Sequence, residues 1–164
     1  MIYYNKQLQR PYRFQYTIDI NEKKFVEITY IPSKWTTDTV YKTHDVILPN
    51  NFKGIAYKVI SSGKTFSYEP SWNHVIGEII TNGAVFEGID YVDMIDNINL
   101  TIASSTFRAT ESVTLTSPIN TTNKTQCFID TIPADVNSFI ITNHIILSNN
   151  EEFDFSVFFR VSEK

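Results

Sequence analysis

Phe153-Asp154-Phe155-Ser156-Val157-Phe158-Phe159-Arg160-Val161 alternates apolar and polar side chains almost without a break. Side chains that repeat every two residues belong to a strand with one face toward a core. Phe158 interrupts the polar row, so the second face is expected to be partly covered as well, by a neighbouring subunit. Just upstream, Asn149-Asn150-Glu151-Glu152 is a polar turn. Ile145-Ile146-Leu147, Ser138-Phe139-Ile140-Ile141 and Cys127-Phe128-Ile129 read as further strands, and Ile98, Leu100 and Ile102 alternate, as do Val113 and Leu115.

The same period governs the start of the chain. Phe14, Tyr16, Ile18 and Ile20 alternate with Gln15, Thr17 and Asp19; Val26, Ile28 and Tyr30 alternate with Glu27 and Thr29. The polar turn Asn21-Glu22-Lys23-Lys24 between them predicts a hairpin, and Pro32 stops its second strand. Between these arms lies a stretch of different character. Both tryptophans and all five glycines fall between Trp35 and Gly88. Short apolar runs there (Thr39–Tyr41, Asp45–Leu48, Ile55–Val59) are separated by turn signals at Pro49, Gly54, Gly63, Glu69-Pro70 and Gly77. Asn82-Gly83 between Ile79 and Phe86 predicts a hairpin with a type I′ turn, because that turn needs two positive-φ residues. The expectation is an all-β chain: an antiparallel β-sandwich from residues 1–32 plus 92–164, with residues 33–91 inserted as a small Trp/Gly-rich β module. Two domains in series are the alternative.

Composition agrees with strands and narrows the function. The 164 residues are 42% hydrophobic and 14% aromatic, with twelve Phe and nine Tyr, which favours β structure over helix. A net charge of -4 gives no basic footprint for nucleic acid or an anionic membrane. No apolar run reaches the ~20 residues of a membrane helix. The first residues lack the apolar core of a signal peptide. A lone cysteine, Cys127, excludes an internal disulfide framework and reads as a buried, inert thiol made in a reducing compartment.

Candidate chemistry is sparse. His44, Asp45, His74 and Glu78 have no tight metal-ligand spacing among only three histidines. Glu69 with Glu78 or Asp45 is a glycosidase pair only if space brings them together. No nucleophile elbow and no Gly-rich phosphate loop is present. A non-enzymatic chain without cofactor or metal is expected. Trp35, Tyr41, Tyr57, Trp72 and Phe86 have two readings: they pack together as the core of the module, or they present ring faces as a glycan platform.

Trp35-Thr-Thr-Asp-Thr-Val-Tyr41, Asp45-Val46, Pro49, Gly54-Ile-Ala-Tyr57, Gly63-Lys-Thr65, Glu69-Pro70-Ser-Trp72, Gly77 and Asn82-Gly83-Ala-Val-Phe86 resemble, in order, a small module recurrent in tailed-bacteriophage virion proteins. The chain has Asn82 where that pattern has Asp, and Phe86 where it has Trp. Ile140-Ile-Thr142-Asn143-His-Ile145 through Phe153–Val161 looks like the closing hairpin of β-sandwich proteins in phage structural clusters. The resemblance implies a structural protein of head, neck or tail, made in the host cytoplasm and located in the virion. It would contact other virion proteins, form a homo-oligomer, and bind neither nucleic acid nor membrane. Tyr3, Tyr4, Phe139 and Phe158 are the expected interface residues, and Met1–Arg13 an arm that orders on a neighbour. The alternative is a glycan-binding module of a host-recognition fibre, resting on Trp35 and Trp72.

Overall fold

The computed structural model describes residues 2–3, 15–90 and 99–162. The first arm contributes β1 (Ile2–Tyr3), β2 (Gln15–Asp19) and β3 (Lys24–Thr29). The central stretch forms β4 (Ser33–Lys34), β5 (Val40–Tyr41), β6 (Val46–Leu48), β7 (Ile55–Ser61), β8 (Gly63–Lys64), β9 (Ile79–Asn82) and β10 (Ala84–Asp90). The last arm forms β11 (Ile102–Ala109), β12 (Thr114–Asn120), β13 (Lys124–Thr131), β14 (Ser138–Leu147) and β15 (Glu152–Ser162). Among the described residues there is no helix, so the chain is all-β. It divides into two compact units: Pro32–Met94 with Met1, and Ile2–Ile31 with Ile95–Lys164.

The larger unit holds two four-stranded sheets, β1-β3-β13-β12 (sheet I) and β11-β14-β15-β2 (sheet II). Their buried rows supply one core. Val26, Ile28, Cys127 and Ile129 come from sheet I, and Ile18, Ile141, Ile145, Phe155, Val157 and Phe159 from sheet II. The expected hairpin at 14–31 does not form. β2 runs parallel to β15 in sheet II, whereas β3 pairs antiparallel with β13 in sheet I. A four-residue polar connection serves a corner between sheets as well as a hairpin, so periodicity alone did not distinguish them. The sheets are therefore mixed rather than purely antiparallel, with β1 also parallel to β3. At the edge of sheet I, β12 is mostly exposed, carries Pro118 and shifts register twice against β13. Irregularity and proline of this kind block further strand pairing.

Ser138–Ile141 and Ile145–Leu147 are one ten-residue strand, β14, because the polar residues between them do not break it. Asn143 lies on its inward row and is fully buried. Its Oδ1 accepts from Tyr30 Oη at 2.8 Å and from Thr125 Oγ1 at 2.7 Å. Its Nδ2 donates to Ser105 Oγ at 2.8 Å and to the Thr106 carbonyl at 2.9 Å. All four hydrogen-bonding positions of the amide are filled, which makes its burial tolerable. Phe139 belongs to the same inward row and stacks on Phe159, centroids 5.0 Å apart and planes 8° from parallel. It is a core residue, not the exposed interface residue expected. Phe158 is on the outer face and half-buried, opposite Ile140. Tyr4 and most of the expected arm lie outside the described residues; Tyr3 is placed only as part of β1, beside Thr29.

Two outcomes are expected. Asn143→Ala leaves the Tyr30 and Thr125 hydroxyls without this acceptor in the core and should lower unfolding free energy by about 2–4 kcal/mol in urea titrations. Burial pushes the Cys127 thiol up to about 12. It should therefore resist alkylation by iodoacetamide at pH 8 in the folded chain and react promptly in denaturant.

Candidate functional site

The smaller unit is built from the five-stranded sheet β4-β6-β7-β10-β9 and the two-stranded ribbon β5-β8. Trp35, Tyr41, Tyr57 and Phe86 are all buried in its core together with Ile47 and Val59, so no ring of this set offers a free face. Trp72 is half-buried against them. It lies 4.4 Å from the Tyr57 ring, and edge-on to Phe86 at 5.6 Å. Its indole N–H donates to Glu69 Oε1 at 2.7 Å. The Trp35 indole N–H, by contrast, is buried and finds no hydrogen-bond partner among the described residues.

Glycine here serves close approach as much as turning. A Cβ on Gly63 would lie 2.0 Å from the Gly83 carbonyl oxygen, and one on Gly83 would lie 1.8 Å from that of Lys64. The two backbones touch where any side chain would separate them. Gly83 alone takes positive φ at this hairpin, and Asn82 pairs directly with Ala84. The turn is therefore not type I′. Asn82 serves elsewhere: buried, it accepts from the Phe66 N–H at 2.9 Å and donates to the Tyr68 carbonyl at 3.0 Å. An Asn-Gly pair signals the turn whichever purpose the Asn side chain serves, which is why local sequence misassigned it.

The three carboxylates considered for chemistry are each bound into a local turn. Asp45 accepts from the Lys42 N–H at 2.8 Å. Glu69 accepts from the Asn50 N–H and from Asn50 Nδ2, both at 2.9 Å, as well as from Trp72, so it ties the turn after Pro49 to the Glu69-Pro70 corner. Glu78 accepts from Tyr57 Oη, from the Asn73 N–H and from the Val75 N–H. Burial alone would raise the carboxyls of Glu69 and Glu78, but these donors outweigh it and hold both below their usual value of 4.5. Burial first, then the adjacent Glu78 carboxylate, pushes the Tyr57 phenol above its ordinary value. His44 is exposed in the turn closed by Asp45 N–H to the Lys42 carbonyl, and His74 donates its backbone N–H to Tyr57 Oη. Among the described residues no three His, Cys, Asp or Glu side chains converge as a metal site.

What remains outside is apolar and was not singled out from the sequence. Val75 and Ile76 occupy a tight turn closed by the Glu78 N–H to the Val75 carbonyl, with Gly77 at φ +79°. Ile79 follows. Their exposures are 55, 61 and 57%. Gly77 N–H donates to the Gly88 carbonyl at 2.7 Å and Gly88 N–H to the Glu78 carbonyl at 2.9 Å. A Cβ on Gly88 would lie 2.2 Å from the Val75 carbonyl oxygen, so the turn is seated directly on β10. In the larger unit, Phe25 is exposed on the outer face of sheet I, 4.7 Å from Phe128, its partner across β3 and β13. The alternation that buries Val26 and Ile28 already places Phe25 outside. No family model, curated protein or solved structure matches this chain.

Both tryptophans belong to the smaller unit, so their emission reports its stability alone. A carboxyl whose folded pKa is depressed contributes fully above its unfolded value and loses that contribution as pH falls through the folded one. Tryptophan-monitored stability should hold above about 4.5 and decline below it. The double variant E69Q/E78Q should be less stable at neutral pH and show a flatter acid limb.

Proposed function

We propose that this chain is a non-enzymatic structural protein of a tailed-bacteriophage virion. In this reading the larger unit is a β-sandwich scaffold and the smaller one a docking module. The chain attaches to capsid, neck or tail and is present there in several copies. The observation that carries the reading is the apolar turn at Val75–Ile79. Val75 and Ile76 stand in water on a turn fixed by Tyr57, Glu78 and Gly88, and Ile79 stands in water just after it, at the start of β9. Water penalises such a patch, whereas a partner protein that covers it gains about 1 kcal/mol or more per side chain. The rigidity matters as much as the area, because a pre-fixed turn loses little entropy on docking.

Two further features support the reading. The order of Trp, Tyr, Gly and Glu-Pro-x-Trp elements from Trp35 to Phe86 resembles the module recurrent in phage virion proteins. The Phe25–Phe128 pair gives the scaffold an apolar outer face suited to a neighbouring copy. The three carboxylates are held by turn donors, which is the arrangement of fasteners rather than of acid–base groups.

Ile76→Asp tests the proposal, since the side chain is exposed and the fold should survive. In particles assembled with the variant, the chain should fall to under a tenth of its wild-type amount while its circular dichroism and melting curve stay unchanged. Wild-type incorporation of Ile76→Asp, or absence of the chain from purified particles, overturns the reading.

A further inference from the structure

Phe66 and Tyr68 stand apart from the aromatic core. They are 46 and 62% exposed, their ring centroids lie 5.7 Å apart and their planes meet at 38°. Together with Asp38, Lys64, Thr65 and Ser67 they line a shallow, open hollow. At its polar side Lys64 Nζ lies 3.7 Å from Asp38 Oδ1, both side chains well exposed.

The segment that displays these rings is held at the Phe66 N–H and at the Phe66 and Tyr68 carbonyls, and buried groups lie beneath it. Buried Asn82 grips the Phe66 N–H and the Tyr68 carbonyl. The Phe66 carbonyl accepts from the Asp38 N–H at 3.3 Å and from Thr37 Oγ1 at 3.1 Å. Thr65, also buried, accepts from the Thr39 N–H at 3.0 Å and donates to the Thr36 carbonyl at 2.9 Å. The Gly63–Gly83 contact brings the adjacent backbones together. Single exposed aromatics are ordinary on a protein surface. Here two lie on one pinned segment, beside an exposed carboxylate and ammonium.

We propose that this hollow binds a neutral oligosaccharide of pyranose units. The apolar C–H face of a sugar ring lies against the Phe66 and Tyr68 rings, whose faces carry partial negative charge. The hydroxyls around its edge donate to the Asp38 carboxylate and the Tyr68 phenol oxygen, and accept from Lys64, so the ion pair opens around the ligand. An open hollow admits a chain of sugars lying across it. The two charges cancel, which suits a neutral ligand better than an acidic one. The site is separate from the buried Trp35 set and does not depend on the docking turn at Val75–Ile79.

Maltohexaose, cellohexaose and chitohexaose, titrated separately into the 15N-labelled chain, distinguish α-linked glucose, β-linked glucose and N-acetylglucosamine. At least one should give saturable amide shifts centred on residues 64–68 and Asp38, with affinity in the millimolar range or tighter. Tyr68→Ala and Phe66→Ala should each weaken it at least tenfold with the remaining spectrum unchanged, and Ile76→Asp should leave it intact. No saturable shift with any of the three sugars overturns the proposal, as does binding that both alanine variants retain. Loss of particle attachment in Tyr68→Ala without any sugar-dependent shift also overturns it, and makes these rings a protein contact. Because Ile76→Asp reports on docking alone, failure of either proposal is distinguishable from failure of the other.

Discussion

An amide buried between two sheets must find four hydrogen-bond partners or destabilise the fold, and Asn143 finds them on three other strands or their ends. Tyr30 follows β3, Thr125 is in β13, and Ser105 and Thr106 are in β11. Two of those groups belong to sheet I and two to sheet II. An aliphatic residue at this place would keep the inward row of β14 but make no directed bonds. An amide with four directed bonds accepts one register, because a slip of β14 by a single residue would turn Asn143 outward and take its acceptor from the Tyr30 and Thr125 hydroxyls. The core around it is mostly aliphatic and aromatic, and the directed bonds of this amide reinforce the register that its alternating rows favour.

The smaller unit solves a different problem. Its core is a handful of rings and a few aliphatics, too little to fix loops as long as those between β8 and β9. Carboxylates and glycines supply what area does not. Glu69 joins the turn after β6 to the Trp72 indole, and Glu78 joins the apolar turn to Tyr57. Gly63, Gly83 and Gly88 allow backbones to touch. A module built this way ties its surface loops with side-chain hydrogen bonds and backbone contacts, and loops so tied lose less entropy on docking.

That economy links structure to the proposed role. Of the rings that sequence made conspicuous, Trp35, Tyr41, Tyr57 and Phe86 are interior and Trp72 is half-buried against them, because a small module needs its largest side chains for its own core. Among the side chains left exposed are less conspicuous ones: Val75 and Ile76 on one turn with Ile79 after it, Phe66 and Tyr68 on another segment, and Phe25 on a sheet face. Each sits on backbone held by hydrogen bonds or strand pairing. The proposed docking role and the proposed sugar surface would both draw on backbone held in this way.

Sequence alone determined the β class, because a period of two is a local property that any strand carries in its own residues. It also marked the Trp35–Gly88 stretch as distinct, since glycine and tryptophan are confined to it. Phe25 was legible by the same alternation. Tertiary structure decided which strands are neighbours: β2 with β15, parallel and more than a hundred residues apart, is a pairing no turn signal encodes. It decided that Asn143 and Phe139 face inward, since an alternating strand specifies two faces without saying which one meets the core. It gave Asn82 to the Phe66–Tyr68 segment rather than to a type I′ turn, because a side-chain amide reaching sixteen residues away leaves no periodic trace in the chain. Local chemistry fixes what a residue can do; only the packed structure fixes which neighbour it does it with.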